Sequence, residues 1–469
     1  MKKLITALVL LCGLALAETP LAVAIRNARI VTVSGPVINK GTVVLRNGLI
    51  EAVGDNVPVP ADAWVVDGEG LTVYPGLIDA LSTWGMPGTA TDAAAGGRGG
   101  ARGPTTPATT PAAPTNPATT TPAAATPRAQ GPEDRPQTTS WVLAANEIQP
   151  ADGRIETARS AGFATAVVFP TRGIFGGQGS IVDLISDEKA GAMVVAPSVG
   201  QYIAMARGGM GGGMGGGFPS SLMGTIAYIR QVYLDAAHYQ MVKDAYAKDP
   251  RGMQRPAYDR ALEGVLESKH ILLPANRLVE VDRMLRFASE LKQPSILYGG
   301  KECYRPEAAE LLKKYGAPLL VSLRWPEVPR DPNPDDVDSF RTLETRDKAA
   351  SAPAVLKKSG VSFAFYSDGL EQPRDLQRAV KKAIDAGLSR EDAVRALTLS
   401  AAEIYGVADR LGSVEKGKIA NLVVTKGDLF DDHTRVEMIF VDGRQYTPVT
   451  ENPMPGGRGP ATDEPGGMQ

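Results

Sequence analysis

Between Ala166 and Gly369 the chain switches repeatedly between short apolar runs and stretches of helical spacing, and this alternation narrows its possible folds most. The apolar runs are AVVFP (166–170), AMVVAP (192–197), HILLPA (270–275), SILYGG (295–300), LLVSL (319–323) and VSFAFYSDG (361–369). Between several of them lie amphipathic helices. In VDRMLRFASELK the apolar positions Val281, Met284, Leu285, Ala288 and Leu291 share one helical face. In DLQRAVKKAIDAG, Leu376, Ala379, Val380, Ala383 and Ile384 do the same, and Gly387 suits a helix end. Ser389 with Asp392, and Ser400 with Glu403, have capping-box spacing and mark two further helix starts. Repeated βα units predict a parallel sheet, here a (β/α)8 TIM-like barrel, with its chemistry on the loops that follow the strands.

The two ends of the chain have a different texture. TVVLRNGLIEAVG places Asn47-Gly48 between apolar runs, a strong hairpin signal. NLVV (421–424) and VEMIFVDGRQY (436–446) repeat the pattern, with Asp442-Gly443 as the turn. The ends are expected to meet in one small β-sandwich domain, built from 18–73 and 412–450, around a barrel spanning 74–411.

Three segments read as linkers or loops. Residues 88–136 are built from Ala, Thr, Pro, Gly and a few Arg with no apolar period, too little to bury and order. RGGMGGGMGGG (207–217) reads as a glycine-rich loop; its two thioethers are a weak set for a soft metal such as Cu(I). The tail 451–469 is similar in composition.

The first 17 residues, MKKLITALVLLCGLALA, read as an export signal: Lys2 and Lys3, an apolar run, then Ala15-Leu16-Ala17. The run is short for a membrane span. A lipid anchor at Cys12 is the alternative, disfavoured by Leu11 before it. The expected product is periplasmic or secreted and carries one cysteine, Cys303, so no internal disulfide holds it. A net charge of −2 without long basic runs argues against nucleic acid as a partner.

The flanking motifs, taken together, resemble the amidohydrolase superfamily and its imidazolonepropionase-like branch. AIRNARIVTVSGPVINKGTVVLRNGLIEAVGD and YPGLIDA are similar to the family's first β segment and its entry into barrel strand one. AGLSREDAVRALTLSAAEIYGVADRLGSVEKGKIANLVVTKGD resembles its closing helices and return to the β domain, and AGFATAVVFPTRGIFGGQGSIVDL a segment of exported members. The resemblance implies one or two divalent metals, zinc or another. These would be held by His-x-His after strand one, often a carboxylated lysine after strand four, histidines after strands five and six, and an aspartate after strand eight. The metal would make water a nucleophile, and needs ligands converging to about 2.0–2.2 Å.

Carried onto this chain, that set is dismantled. The His-x-His positions fall on Leu81 and Thr83, the strand-five histidine on Pro274, and strand six is followed by YGGKE (298–302) without a histidine. Of the expected ligands only Asp368, in YSDG, keeps its type. The three histidines do not replace the others: His238 lies in an expected helix, His270 starts its strand, and His433 lies in the C-terminal β region.

Asp368 reads either as a general base or ligand grip, or as a loop cap paired to a cation. Glu302, with Lys301, is the second candidate, against an ordinary ion pair. Gln178 and the glycines of GIFGGQGSIVD read either as a backbone-lined ligand loop or as a turn needing positive φ. Cys303 reads as an inert buried thiol.

The expected function is a metal-free, exported amidohydrolase-fold protein, with no cofactor, that binds a small molecule at the barrel mouth or a partner subunit, whether a second copy or an active paralogue. The alternative is hydrolysis of a C–N bond by a site rebuilt around Asp368 and Glu302. If Leu81 and Thr83 occupy the old ligand positions, both must lie at the strand ends near Asp368.

Overall fold

The computed structural model describes residues 22–87, 135–186, 189–205, 219, 221–328, 337–370, 372–431 and 434–449. The export signal, the glycine-rich loop 207–217, the tail 451–469 and His433 lie outside these, as does all of the 88–136 insert except Arg135 and Pro136. Arg135 is no linker residue: its guanidinium pairs with Asp259 and lies 3.6 Å from Asp235.

The first strands are β1 (Ala22–Ile30), β2 (Ile38–Arg46), β3 (Leu49–Gly54), β4 (Ala63–Asp67) and β5 (Thr72–Pro75). The middle supplies β6 (Leu77–Ser82), β7 (Phe163–Val168), β8 (Phe175–Gln178), β9 (Ser180–Asp183), β10 (Val194–Ala196) and β11 (Gln201–Ile203). It continues with β12 (Ile271–Ala275), β13 (Ser295–Gly299), β14 (Leu319–Ser322) and β15 (Phe363–Tyr366), and the chain closes with β16 (Leu422–Thr425), β17 (Val436–Val441) and β18 (Arg444–Tyr446). The helices are α1 (Arg154–Ser160), α2 (Leu222–Lys248), α3 (Arg260–Leu266), α4 (Leu278–Glu290), α5 (Pro306–Tyr315), α6 (Phe340–Lys348), α7 (Ala352–Ser359), α8 (Pro373–Asp385), α9 (Arg390–Ala396) and α10 (Leu399–Ile404).

Both chain ends enter one eight-stranded sheet, in the order β18-β17-β16-β5-β1-β2-β3 with β4 on β1. The junction is antiparallel: Leu422 of β16 faces Pro75 of β5. Side chains alternate across β16: Leu422 and Val424 join Ile25, Val43 and Phe440 in the sheet's own core, whereas Val423 packs into the main core. The two hairpin turns touch each other. Asn47-Gly48 (φ 51 and 78) and Asp442-Gly443 (φ 51 and 71) have the left-handed backbone such turns need. A Cβ on Gly48 would lie 2.5 Å from the Asp442 carboxylate, which would have to turn aside.

The middle strands form a four-stranded sheet, β10-β9-β7-β6, and a six-stranded one, β15-β14-β13-β12-β11-β8. Strands β11 to β15 are parallel, as the βα alternation predicts. The expectation of a wholly parallel sheet fails at β8 and β9, which pair antiparallel with β11 and β7. Too few residues separate β7 from β8 for a helical crossover, so the chain turns back on itself.

The GIFGGQGSIVD segment is therefore buried strand rather than a ligand loop. Gln178 is 4% exposed, and its amide donates to the carbonyls of Ser140 (3.1 Å) and Gly264 (2.7 Å) and to Gln201. Of its glycines Gly173 and Gly177 have positive φ, whereas Gly179 is needed for closeness: a Cβ there would lie 2.1 Å from the Phe169 ring.

The amphipathic helices form as their spacing predicts. Ser389 caps α9 by accepting from the Asp392 amide at 3.0 Å. Ser400 caps nothing: α10 starts a residue earlier, and Glu403 instead pairs with Arg395.

Candidate functional site

Parallel strands deliver their last side chains to a common edge, and here that edge is aromatic. Tyr202 lies in the middle of the short strand β11, Tyr298 lies in β13 opposite Pro274 of β12, and Tyr366 ends β15 opposite Ser322 of β14. The Tyr202 and Tyr298 rings stack at 6.0 Å with their hydroxyls 3.1 Å apart, and Tyr366 meets Tyr298 edge-on at 6.4 Å. Beneath them pack Ile78, Phe169, Leu272, Ile296 and Leu320. Burial raises the pKa of all three phenols, so they hold their protons, and Asp368 acts on each in the same direction.

Asp368 follows β15 and is half-buried, with φ 51. Its carboxylate accepts from the Ser322 hydroxyl at 2.6 Å. Arg324 lies alongside but donates to the backbone carbonyls of Asp368 (2.8 Å) and Gly369 (2.9 Å). Among the described residues no cation pairs with this carboxylate.

Glu302 lies elsewhere in the network. It is 3% exposed, and Arg341 of α6 grips both its oxygens at 2.5 and 2.7 Å. One oxygen also accepts from the Leu278 amide at 3.0 Å, where α4 begins and its first amides lack helical partners. Burial pushes the Glu302 pKa up, but the Arg341 pair and the Leu278 bond outweigh it and leave it below the usual range. Its partner is thus Arg341, not the adjacent Lys301, and it shares none of these contacts with Asp368. Cys303 is buried and free, its thiol pushed up to about 12 by burial.

The positions carried over from the family separate. Leu81 is half-buried and packs with the tyrosine-bearing cluster. Thr83 turns outward, its hydroxyl 3.3 Å from Arg154 and its carbonyl accepting from the same guanidinium. His238 is exposed on α2, and His270 precedes β12 with its Nδ1 buried and unpartnered. Among the described residues no three His, Cys, Asp or Glu side chains come together as a metal site. The strand-end donors, three protonated phenols, a serine and one carboxylate, do not fit a catalytic divalent ion.

One buried residue was missed from the sequence. Asp79 of β6 is fully buried and accepts from the Ser367 amide (2.9 Å) and hydroxyl (2.6 Å), so it ties β6 to the end of β15. Burial raises its pKa to about 7 despite those bonds. An aspartate inside the apolar run YPGLIDAL was the available signal, because a buried carboxylate requires partners.

This architecture, a helix-covered parallel sheet beside a β domain completed by both chain ends, recurs in known proteins. A model of the amidohydrolase family matches residues 279–450. The crystal structure of an amidohydrolase from Thermotoga maritima superposes with a TM-score of 0.68 and 25% identity, over 91% of this chain and 100% of that one. Molinate hydrolase shares the fold, with a TM-score of 0.52 and 15% identity over 91% of this chain and 95% of that one. Adenine deaminase from Moorella thermoacetica is 36% identical over 84 residues, 18% of this chain and only 14% of that protein's length. Over residues 279–450 the chain matches the amidohydrolase family, and over most of its length it shares the fold of an amidohydrolase.

Proposed function

We propose that this chain has left metal-dependent hydrolysis and uses the ends of its parallel strands to bind a small molecule. The observation that carries the reading is the tyrosine cluster: Tyr202, Tyr298 and Tyr366 gather at the strand ends beside Asp368, and among the described residues no imidazoles or further carboxylates converge there. Leu81 in the apolar cluster and Thr83 turned toward Arg154 support it from the strand-one side. A partner subunit, a second copy or an active relative, is the other occupant this reading admits.

The two middle sheets are read as one (β/α)8 barrel. Support comes from the Ser367–Asp79 bonds between β15 and β6 and from Gly179, which links β8 to β9 and bonds to Gly200 at 2.8 Å. Residues 74–411 are assigned to that barrel, and 18–73 with 412–450 to a β-sandwich domain. The charged and apolar run of residues 1–17 supports export to the periplasm or beyond.

A second reading, hydrolysis of a C–N bond around Asp368, draws on the kinship with an adenine deaminase and on the accessible carboxylate. It loses Glu302 as a partner, since that side chain is held by Arg341 and Leu278.

Elemental analysis after chelator-free purification, repeated after zinc loading, tests the proposal. The expected result is below about 0.1 metal per chain in both, against the full occupancy of a real catalytic site. Near-stoichiometric metal would overturn it and return the hydrolase to the front.

A further inference from the structure

We infer that Asp368 and the tyrosines beside it form a binding site for an organic cation, an alkylammonium such as a quaternary amine. The inference rests on the metal-free reading and names the class of ligand for that same site. A half-buried carboxylate that accepts one serine hydroxyl and forms no ion pair with a described cation keeps acceptor positions that its described neighbours do not fill. Arg324, the cation at hand, is committed to two backbone carbonyls.

The rings beside it supply the rest. Tyr202 and Tyr298 are half-buried rather than enclosed, while Phe169 at 6.2 Å backs Tyr202 and Tyr366 flanks Tyr298. Aromatic faces attract cations, and a carboxylate at their edge adds a charge-charge contribution that a neutral ligand cannot collect. An anion would meet Asp368 unfavourably, and a small hard cation finds one carboxylate where it needs six or more oxygens. A bulky, weakly hydrated ammonium suits both halves of the site. The backbone at Asp368 agrees: φ 51 is uncommon outside glycine and holds the carboxylate toward Ser322.

Calorimetric titration of the purified full chain with choline, and with dimethylbutanol, the neutral alcohol in which carbon replaces nitrogen, separates charge from shape. Choline is expected to bind saturably and at least about tenfold more tightly than the alcohol. Asp368→Asn should reduce that preference several-fold, leaving the part the rings supply, without disturbing the turn, because asparagine also accepts positive φ. Tyr298→Phe keeps the ring and should bind choline within about threefold of wild type, whereas Tyr298→Leu should lose about tenfold. Equal binding of the two ligands, no saturable choline binding, or an unchanged preference in Asp368→Asn would each overturn the inference. Any of those results in metal-free protein leaves the proposed function standing, whereas bound stoichiometric metal defeats the latter whatever choline does.

Discussion

Asp183, at the seam between the β domain and the middle sheets, gives the sharpest test of this structure. It is fully buried in β9, and its Oδ1 accepts from Thr165 at 2.8 Å and from the Asn421 amide at 2.7 Å. Asn421 also donates to Thr165 and accepts from the Asp442 amide, so one cluster joins β7, β9 and the last hairpin. Burial raises the Asp183 pKa to about 7, although Thr165 and Asn421 pull the other way. Unfolded, the same group titrates near 3.9.

Because the folded pKa lies above the unfolded one, folding takes up a proton between these values. The stability this group gives is full below about pH 4 and is lost as pH rises through about 7. Three units at about 1.4 kcal/mol each make the loss roughly 4 kcal/mol. Asparagine in its place can keep both bonds through its own carbonyl and has no proton to lose. Urea unfolding of wild type and Asp183→Asn at pH 4.5 and 8 is therefore expected to show the difference shifting by roughly 3–4 kcal/mol toward the variant as pH rises. A difference independent of pH would refute the argument and mean that the cluster holds an ionised aspartate.

Two further changes test the placement of individual side chains. Glu302→Ala strips Arg341 and the first amide of α4 of their acceptor, and should cost about 2–3 kcal/mol in urea unfolding; a neutral outcome would mean α6 is not fastened there. Gly179→Ala drives a methyl into the buried Phe169 ring and should cost about 1–3 kcal/mol or more; stability equal to wild type would contradict the close approach of β8–β9 to Phe169.

Much of the frame was legible because its signals are local. Asn47-Gly48 and Asp442-Gly443 announce hairpins through the positive φ they tolerate, and both form. The spacing of Leu376, Ala379, Val380 and Ala383 announces α8, and all four are buried. Ser400 misled because its capping spacing lies inside a helix whose start is set by packing of Leu399, Ala401 and Ala402. The glycines of GIFGGQGSIVD misled because a glycine required by a neighbouring ring reads the same as one required by a turn.

The sequence by itself determined the alternation of strands and helices and the β character of both ends; each is a matter of residue type and short-range period. Tertiary structure alone decided that Tyr202, Tyr298 and Tyr366 share one edge, that Glu302 belongs to Arg341, and that Asp79 bonds to Ser367, which lies 288 residues away. Such meetings depend on strand order and register, and no local period encodes which strand end will face which.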